Sequence, residues 1–245
     1  MERTQFVKPK SLKNTHHNYC PGCGHGIIHR IIAEIIDELN IREKTIAVAP
    51  VGCAVFAYDY WDFDVTEAPH GRPPAVATGI KRVLPDRIVF TYQGDGDLAA
   101  IGTAEIIHAA NRSENITVIF VNNTVYGMTQ GQMAPTTLIG QKTLTTPYGR
   151  DANRDGYPLK VCELLSVLDG TKFSARGMVT NPKEIIKTKS LIKKAFFKQI
   201  ENKGFSIVEV LSMCPSGLHM NPIETKEWVE KELTKFFPLG VFKDV

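Results

Sequence analysis

Two sets of residues in this 245-residue chain are of types and spacings that do chemistry. The first is Gly94-Asp95-Gly96-Asp97, with 25 residues between Gly96 and the amide pair Asn122-Asn123. Arg87-Ile88-Val89-Phe90-Thr91-Tyr92 and Ile116-Thr117-Val118-Ile119-Phe120-Val121 read as strands that run into these turns, with a helix over 98–110 between them. Parallel neighbours joined by one crossover helix deliver an Asp and an Asn from their carboxyl ends, where open α/β sheets bind ligands. A carboxylate and amide oxygens suit a hard cation such as Mg²⁺ held against a diphosphate. Without that context the same residues are a tight turn and a strand end.

The second set is Cys20-x2-Cys23, Cys53 and Cys214, each beside Gly or Pro in a loop. Four such thiolates suit a [4Fe-4S] cluster, and Cys214-Pro215 has the Cys-Pro pairing that closes bacterial ferredoxin cluster runs. They equally suit a structural zinc ion. A third reading makes Cys20 and Cys23 a dithiol at a helix N-terminus, where the dipole lowers a thiol pKa. Spacing alone leaves the three open. Cys162, inside a helical pattern, reads as a buried core thiol.

The elements that must position these residues alternate from end to end. Isoleucines at 27, 28, 31, 32, 35 and 36 mark one face of a helix that ends near Asn40, and Thr45 to Ala49 is a short strand ending in Pro50-Val51-Gly52-Cys53. A loop with Tyr58, Tyr60, Trp61 and Phe63 leads to His70-Gly71-Arg72, and Pro73-Pro74 opens a helix to Val83. Beyond Asn123 a polar stretch to about Pro158 shows no regular pattern, a length that marks a segment covering a ligand or a partner chain. Helices over 161–168 and 182–199, strands over 173–179 and 205–211, and an amphipathic helix opened by Asn221-Pro222 complete the chain. The expectation is a single α/β domain over 1–245, an open and mostly parallel sheet with helices on both faces, preceded by an N-terminal arm over about 1–17.

Composition excludes several classes. A hydrophobic content of 43% and a charged content of 22% are those of a soluble globular chain, and a net charge of +3 gives no footprint for nucleic acid. No run reaches the eighteen or more apolar residues of a membrane span, and Met1-Glu2-Arg3-Thr4 opens no signal sequence, so the expected compartment is the cytoplasm. Five cysteines form an odd set that argues against a disulfide framework. Lys8, Lys10, Lys13, His16 and His17 read as a solvated basic arm.

Gly-Asp-Gly, 25 residues, then Asn-Asn resembles the thiamine diphosphate signature. That likeness implies Mg²⁺ on Asp95, Asn123 and the Val125 carbonyl. The whole order is similar to the β subunit of the 2-oxoacid:ferredoxin oxidoreductases over residues 18–216. It comprises a Cys-Pro-Gly-Cys-Gly loop, a Gly-Cys turn, His70-Gly71-Arg72, the Gly94 to Asn123 unit, and Tyr126-Gly127-Met128-Thr129-Gln130-Gly131-Gln132. Met133 to Thr137 with Thr146 to Asp151 resembles the branched-chain, 2-oxoisovalerate type most. Gln130 stands where many relatives carry Gly or Lys.

The resemblance implies a thiamine diphosphate-binding fold and oxidative decarboxylation of a 2-oxoacid to acyl-coenzyme A, with electrons passed to ferredoxin. It implies a [4Fe-4S] cluster on Cys20, Cys23, Cys53 and Cys214. Val51, Gly52, Cys53, Ala54 and His70 would approach the cofactor, with His70 as the catalytic candidate, and Gly96, Asp97, Gly127 and Met128 would line it. An α subunit with a pyrimidine-binding domain would supply the activating glutamate, alongside ferredoxin-like γ and δ subunits.

Overall fold

The computed structural model describes residues 7–245, so Met1 to Phe6 of the expected arm lie outside the described residues. A seven-stranded sheet is built from β1 (Thr45–Ala49), β2 (Asp64–Glu67), β3 (Ile88–Gly94), β4 (Thr117–Asn122), β5 (Thr171–Met178), β6 (Phe205–Leu211) and β7 (Gly240–Asp244). Its order is β2-β1-β3-β4-β6-β5-β7, parallel throughout except for β7, which runs antiparallel along β5. The chain leaves β1 toward one edge and leaves β3 toward the other. Their connections diverge there and open the kind of crevice in which doubly wound sheets bind ligands.

Alternate residues of each strand face opposite layers. Phe90 and Tyr92 of β3 pack with α1 (His25–Glu38), where Ile28, Ile32, Ile35 and Ile36 are fully buried. Phe196 on the helix Pro182–Ile200 meets Phe90 edge to face on the same side, with ring centroids 5.4 Å apart. Val89, Val118 and Phe120 turn the other way, onto the helices Pro73–Val83 and Thr103–Asn111. Each helix begins as its residues direct: Pro73-Pro74 stands in the first turn of one, and the Asn181 side chain accepts from Glu184 N in another. The arm is tied down from Pro9 onward. Ser11 is buried, its hydroxyl donates to Asp37 Oδ1 over 2.6 Å, and Leu12 bridges antiparallel to Trp61.

Three features depart from the sequence pattern. The helix expected over 98–110 begins with a wide turn, Gly96–Ile101, closed by Gly102 N on the Asp97 carbonyl, before regular helix starts at Thr103. Two edge strands, β2 and β7, lie where loop or chain end was expected. The long stretch after Asn123, expected to lack regular structure, carries a two-stranded antiparallel pair, Val125–Tyr126 with Gln132–Met133, and a short helix, Ala152–Asp155, and it is well packed. Arg150, 5% exposed, donates to the carbonyls of Pro135, Thr137, Asp155, Gly156 and Tyr157 at 2.6–3.2 Å and gathers both ends of the segment around one guanidinium.

Arg150→Met keeps the apolar stem but strands several buried carbonyls, at a cost of about 3 kcal/mol. Urea unfolding should show that loss, with early protease cleavage between residues 134 and 157. Stability within about 0.5 kcal/mol of the parent would mean that the segment is held elsewhere.

Candidate functional site

The carboxyl ends of β1, β3 and β4 open into a cavity of about 250 Å³. Val51, Gly52, Cys53 and Ala54 form one wall and His70 another, while Asp95, Gly96 and Asp97 come from the turn after β3. Asn123, Val125, Gly127 and Met128 close the remaining side. Every residue that the sequence assigned to the cofactor or its cation therefore lines one space. His25, Ile101, Tyr126 and Thr129 line it too and were not anticipated.

Asp95 is buried, with Oδ1 accepting from Gly96 N at 3.0 Å and Oδ2 accepting from the Thr136 hydroxyl at 2.9 Å. Burial pushes this carboxyl up to about 7, against those hydrogen bonds. Asn123 Oδ1 accepts from Val125 N at 3.3 Å, across Thr124, whose φ of +64° lies in the left-handed region. A buried carboxylate, an amide oxygen and a strand-end carbonyl form a donor set that fits a hard divalent cation. The glycines keep the space open: a Cβ on Gly96 would lie 2.7 Å from the Tyr126 ring.

Asp97 lines the cavity, and its geometry gives it a further task. The side chain has no solvent contact; Oδ1 accepts from Gly71 N at 2.8 Å and from Val51 N at 3.2 Å, and Oδ2 accepts from the Gln93 amide at 2.8 Å. One carboxylate thus fastens the turn after β1 and the His70-Gly71 turn to the end of β3. His70 Nδ1 lies 2.7 Å from Asp97 Oδ1, outside hydrogen-bonding geometry. Gly52, at φ +100°, is the residue that this fastened turn requires.

Cys20, Cys23, Cys53 and Cys214 line a second cavity of about 200 Å³. Gly24 N donates to the Met213 carbonyl at 3.2 Å and so joins the first cysteine loop to the one after β6. The four cysteines surround the space without closing on a point. Among the described residues no group of three His, Cys, Asp or Glu is gathered as a single ion requires. All five cysteines are free. Burial pushes the Cys23 and Cys214 thiols up to about 12 and Cys53 to about 11, a direction opposite to the lowering that a dithiol activated by the helix dipole would need. Cys162 is buried, as expected.

The two cavities share a wall. His25, Cys53, Asn123, Gly127 and Met128 line both. A Cβ on Gly127 would sit 3.1 Å from Cys214 Sγ and 3.6 Å from Cys53 Sγ, so a side chain there would crowd Cys214, and the glycine lets both thiols lie close to the backbone between the cavities. Behind the wall stands an aromatic cluster that sequence reasoning passed over. His25 Nδ1 is 2.5 Å from the Tyr92 hydroxyl, and His29 Nε2 is 2.8 Å from the Tyr19 hydroxyl, which also donates to the Cys53 carbonyl at 3.2 Å. The only signal for it was the placement of both histidines on the isoleucine-rich face of α1.

The family model described as the thiamine pyrophosphate enzyme C-terminal binding domain matches residues 51–210. The 2-oxoglutarate synthase subunit KorB of Methanocaldococcus jannaschii is 37% identical over 94% of this chain and 88% of its own length. The chain belongs to the thiamine pyrophosphate enzymes and, among them, to the 2-oxoacid:ferredoxin oxidoreductase β subunits.

Within that family, the ketoisovalerate oxidoreductase subunit VorA of Methanothermobacter thermautotrophicus is 51% identical over 93% of this chain. The chain spans about half, 48%, of that relative's length. A solved 2-oxoglutarate:ferredoxin oxidoreductase from Magnetococcus marinus, with 2-oxoglutarate, coenzyme A and succinyl-CoA bound, superposes with a TM-score of 0.82 at 27% identity. It covers all of this chain and 87% of its own. The β-subunit chain carries Cys20, Cys23 and Cys214 outside the span that the thiamine pyrophosphate domain matches, whereas Cys53 lies within it.

Burial holds His29 well below its ordinary value of 6.5, with Nδ1 unpartnered. The folded chain therefore resists a proton that the unfolded chain accepts. This contribution to stability is complete above pH 6.5 and is lost as pH falls below it, by up to about 1.4 kcal/mol per pH unit. Urea unfolding between pH 7 and 5 should show a shallower loss in His29→Gln than in the parent; equal slopes would contradict the assignment.

Proposed function

We propose that this chain is the thiamine diphosphate- and iron-sulfur-binding β subunit of a hetero-oligomer that oxidatively decarboxylates a branched-chain 2-oxoacid of the 2-oxoisovalerate type to acyl-coenzyme A and CO2, with reduction of ferredoxin. The observation that carries the proposal is the shared wall, which puts a diphosphate-type cavity and a four-cysteine cavity on either side of Gly127. Thiamine diphosphate, when bound, supplies the nucleophilic carbon and the electron sink for decarboxylation.

In this reading the chain's own residues orient and enclose. Asp95, Asn123 and the Val125 carbonyl would hold Mg²⁺. Asp97 keeps the Val51 to Ala54 turn and the His70 turn against the cofactor space, and Gly96, Gly127 and Met128 shape it. His70, 38% exposed at the side chain and beside a buried carboxylate, is the group we assign to hold or pass a proton there. The cysteine cavity would take a [4Fe-4S] cluster through Cys20, Cys23, Cys53 and Cys214, an occupant better suited to sulfurs spread around a space than a lone zinc, whose bonds to sulfur are about 2.3 Å long.

The substrate assignment rests on the VorA relatives and on the lining of the cavity. Val51, Ile101 and Met128 are exposed apolar groups at it, and among the described residues no Lys or Arg lines it to meet the second carboxylate of a 2-oxoglutarate-type substrate. We also propose that an α subunit with a pyrimidine-binding domain covers this apolar rim, that ferredoxin-like γ and δ subunits complete the assembly, and that the chain is a single domain working in the cytoplasm. Among the described residues no helix is long and apolar enough to cross a membrane.

Two measurements on the reconstituted complex test the proposal. Asp95→Asn should lower retention of thiamine diphosphate by at least about 100-fold while leaving the iron content intact; undiminished cofactor binding would remove the assignment. The parent complex should turn over 2-oxoisovalerate with a kcat/KM at least about tenfold above that for 2-oxoglutarate, and the reverse order would overturn the substrate reading.

A further inference from the structure

Asn122, the first of the two amides, has no place in the cation set, yet it is fully buried and both ends of its side chain are engaged. Its Oδ1 accepts from Thr124 N at 3.1 Å, across the residue that follows it, and its Nδ2 donates to Glu209 Oε1 at 2.7 Å. Glu209 lies in β6, beside β4, with no solvent exposure. Its other oxygen accepts from Arg176 Nε at 2.8 Å. Arg176, in β5 and equally buried, also donates to Glu163 Oε2 at 2.5 Å and to the Pro238 carbonyl at 3.0 Å. A continuous line of hydrogen bonds therefore runs across three strands from Arg176 to the backbone of Thr124.

Thr124 is the point at which such a line has a consequence. Its left-handed backbone, φ +64°, costs a β-branched residue strain that local structure must hold. The same bend brings Asn123 and Val125 to the cavity wall. A buried carboxylate facing an amide fixes which end of that amide points to Thr124 N, because only the NH2 end can donate to Glu209.

We propose that Glu209, oriented by Arg176, is a positioning residue for the cation site: it sets Asn122, Asn122 holds the Thr124 bend, and the bend presents the Asn123 side chain and the Val125 carbonyl in the geometry that Mg²⁺ demands. This rests on the assignment of Asp95, Asn123 and Val125 to Mg²⁺ given above. Partners that orient metal ligands from behind are worth about 10–100-fold in metal affinity.

The test is a Mg²⁺ titration of thiamine diphosphate binding, followed calorimetrically, on the reconstituted complex stripped with a chelator, alongside thermal unfolding. Asn122→Ala and the near-isosteric Glu209→Gln should each raise the half-saturating Mg²⁺ concentration about 10–100-fold. Glu114→Gln is the control, since it changes another buried carboxylate, one paired with the solvent-exposed Arg82 and Arg112 away from the cavity. It should lower the unfolding temperature and leave the Mg²⁺ midpoint within about twofold of the parent. If Asn122→Ala does not fold, Glu209→Gln decides. A Mg²⁺ midpoint in Glu209→Gln within twofold of the parent, or an equal shift in Glu114→Gln, overturns the inference while leaving the cofactor assignment standing. Failure of the parent complex to bind thiamine diphosphate with Mg²⁺ overturns both.

Discussion

The carboxylate of Asp97 is the constraint on which the site depends. It sits without solvent contact at the end of β3 and accepts hydrogen bonds from two turns that the chain forms far apart in sequence, at Val51 and Gly71, and from Gln93. A buried charge is tolerated only where its lone pairs are satisfied, so moving either turn leaves an expensive orphan. The wide turn at Gly96–Ile101 follows from the same demand, since the chain must deliver Asp95 to the cavity and Asp97 to the turns behind it within three residues.

With those turns fixed, the two cavities meet. Cys53 opens the turn that Asp97 fastens, Cys20 and Cys23 approach from the loop ahead of α1, and Cys214 comes from the end of β6. Their loops lie largely outside the span of the thiamine pyrophosphate domain and form the second cavity against it. The shared wall is thin at Gly127 and aromatic behind His25. In the proposed function, electron transfer across such a wall would need no moving part, in keeping with a site whose residues are tied by buried hydrogen bonds.

Much of this arrangement was legible in the sequence. Strands such as Ile88–Gly94 and Thr117–Asn122 are buried on both faces and read as continuous apolar runs, and the cysteine and Gly-Asp-Gly turns interrupt the pattern where the loops do. The edge strands Asp64–Glu67 and Gly240–Asp244 were not legible, because pairing on one side alone places little demand on side-chain type. Arg150 and Thr136 act through contacts far from their neighbours in sequence, which no local spacing encodes. Asp97 was expected at the cofactor and does line that cavity, but its role as the fastener of two turns emerges only when β1 and β3 lie side by side.

In the proposed function, one chain would set a thiamine site directly against an iron-sulfur site. Anaerobic visible spectroscopy of the reconstituted complex, with 2-oxoisovalerate and coenzyme A added and ferredoxin withheld, tests it most directly. The expected result is a broad absorption that bleaches on substrate addition, with the substrate response lost and the response to a chemical reductant kept in Asp95→Asn. A colourless zinc-loaded complex, or a chromophore that a chemical reductant bleaches and the 2-oxoacid leaves untouched, would contradict it.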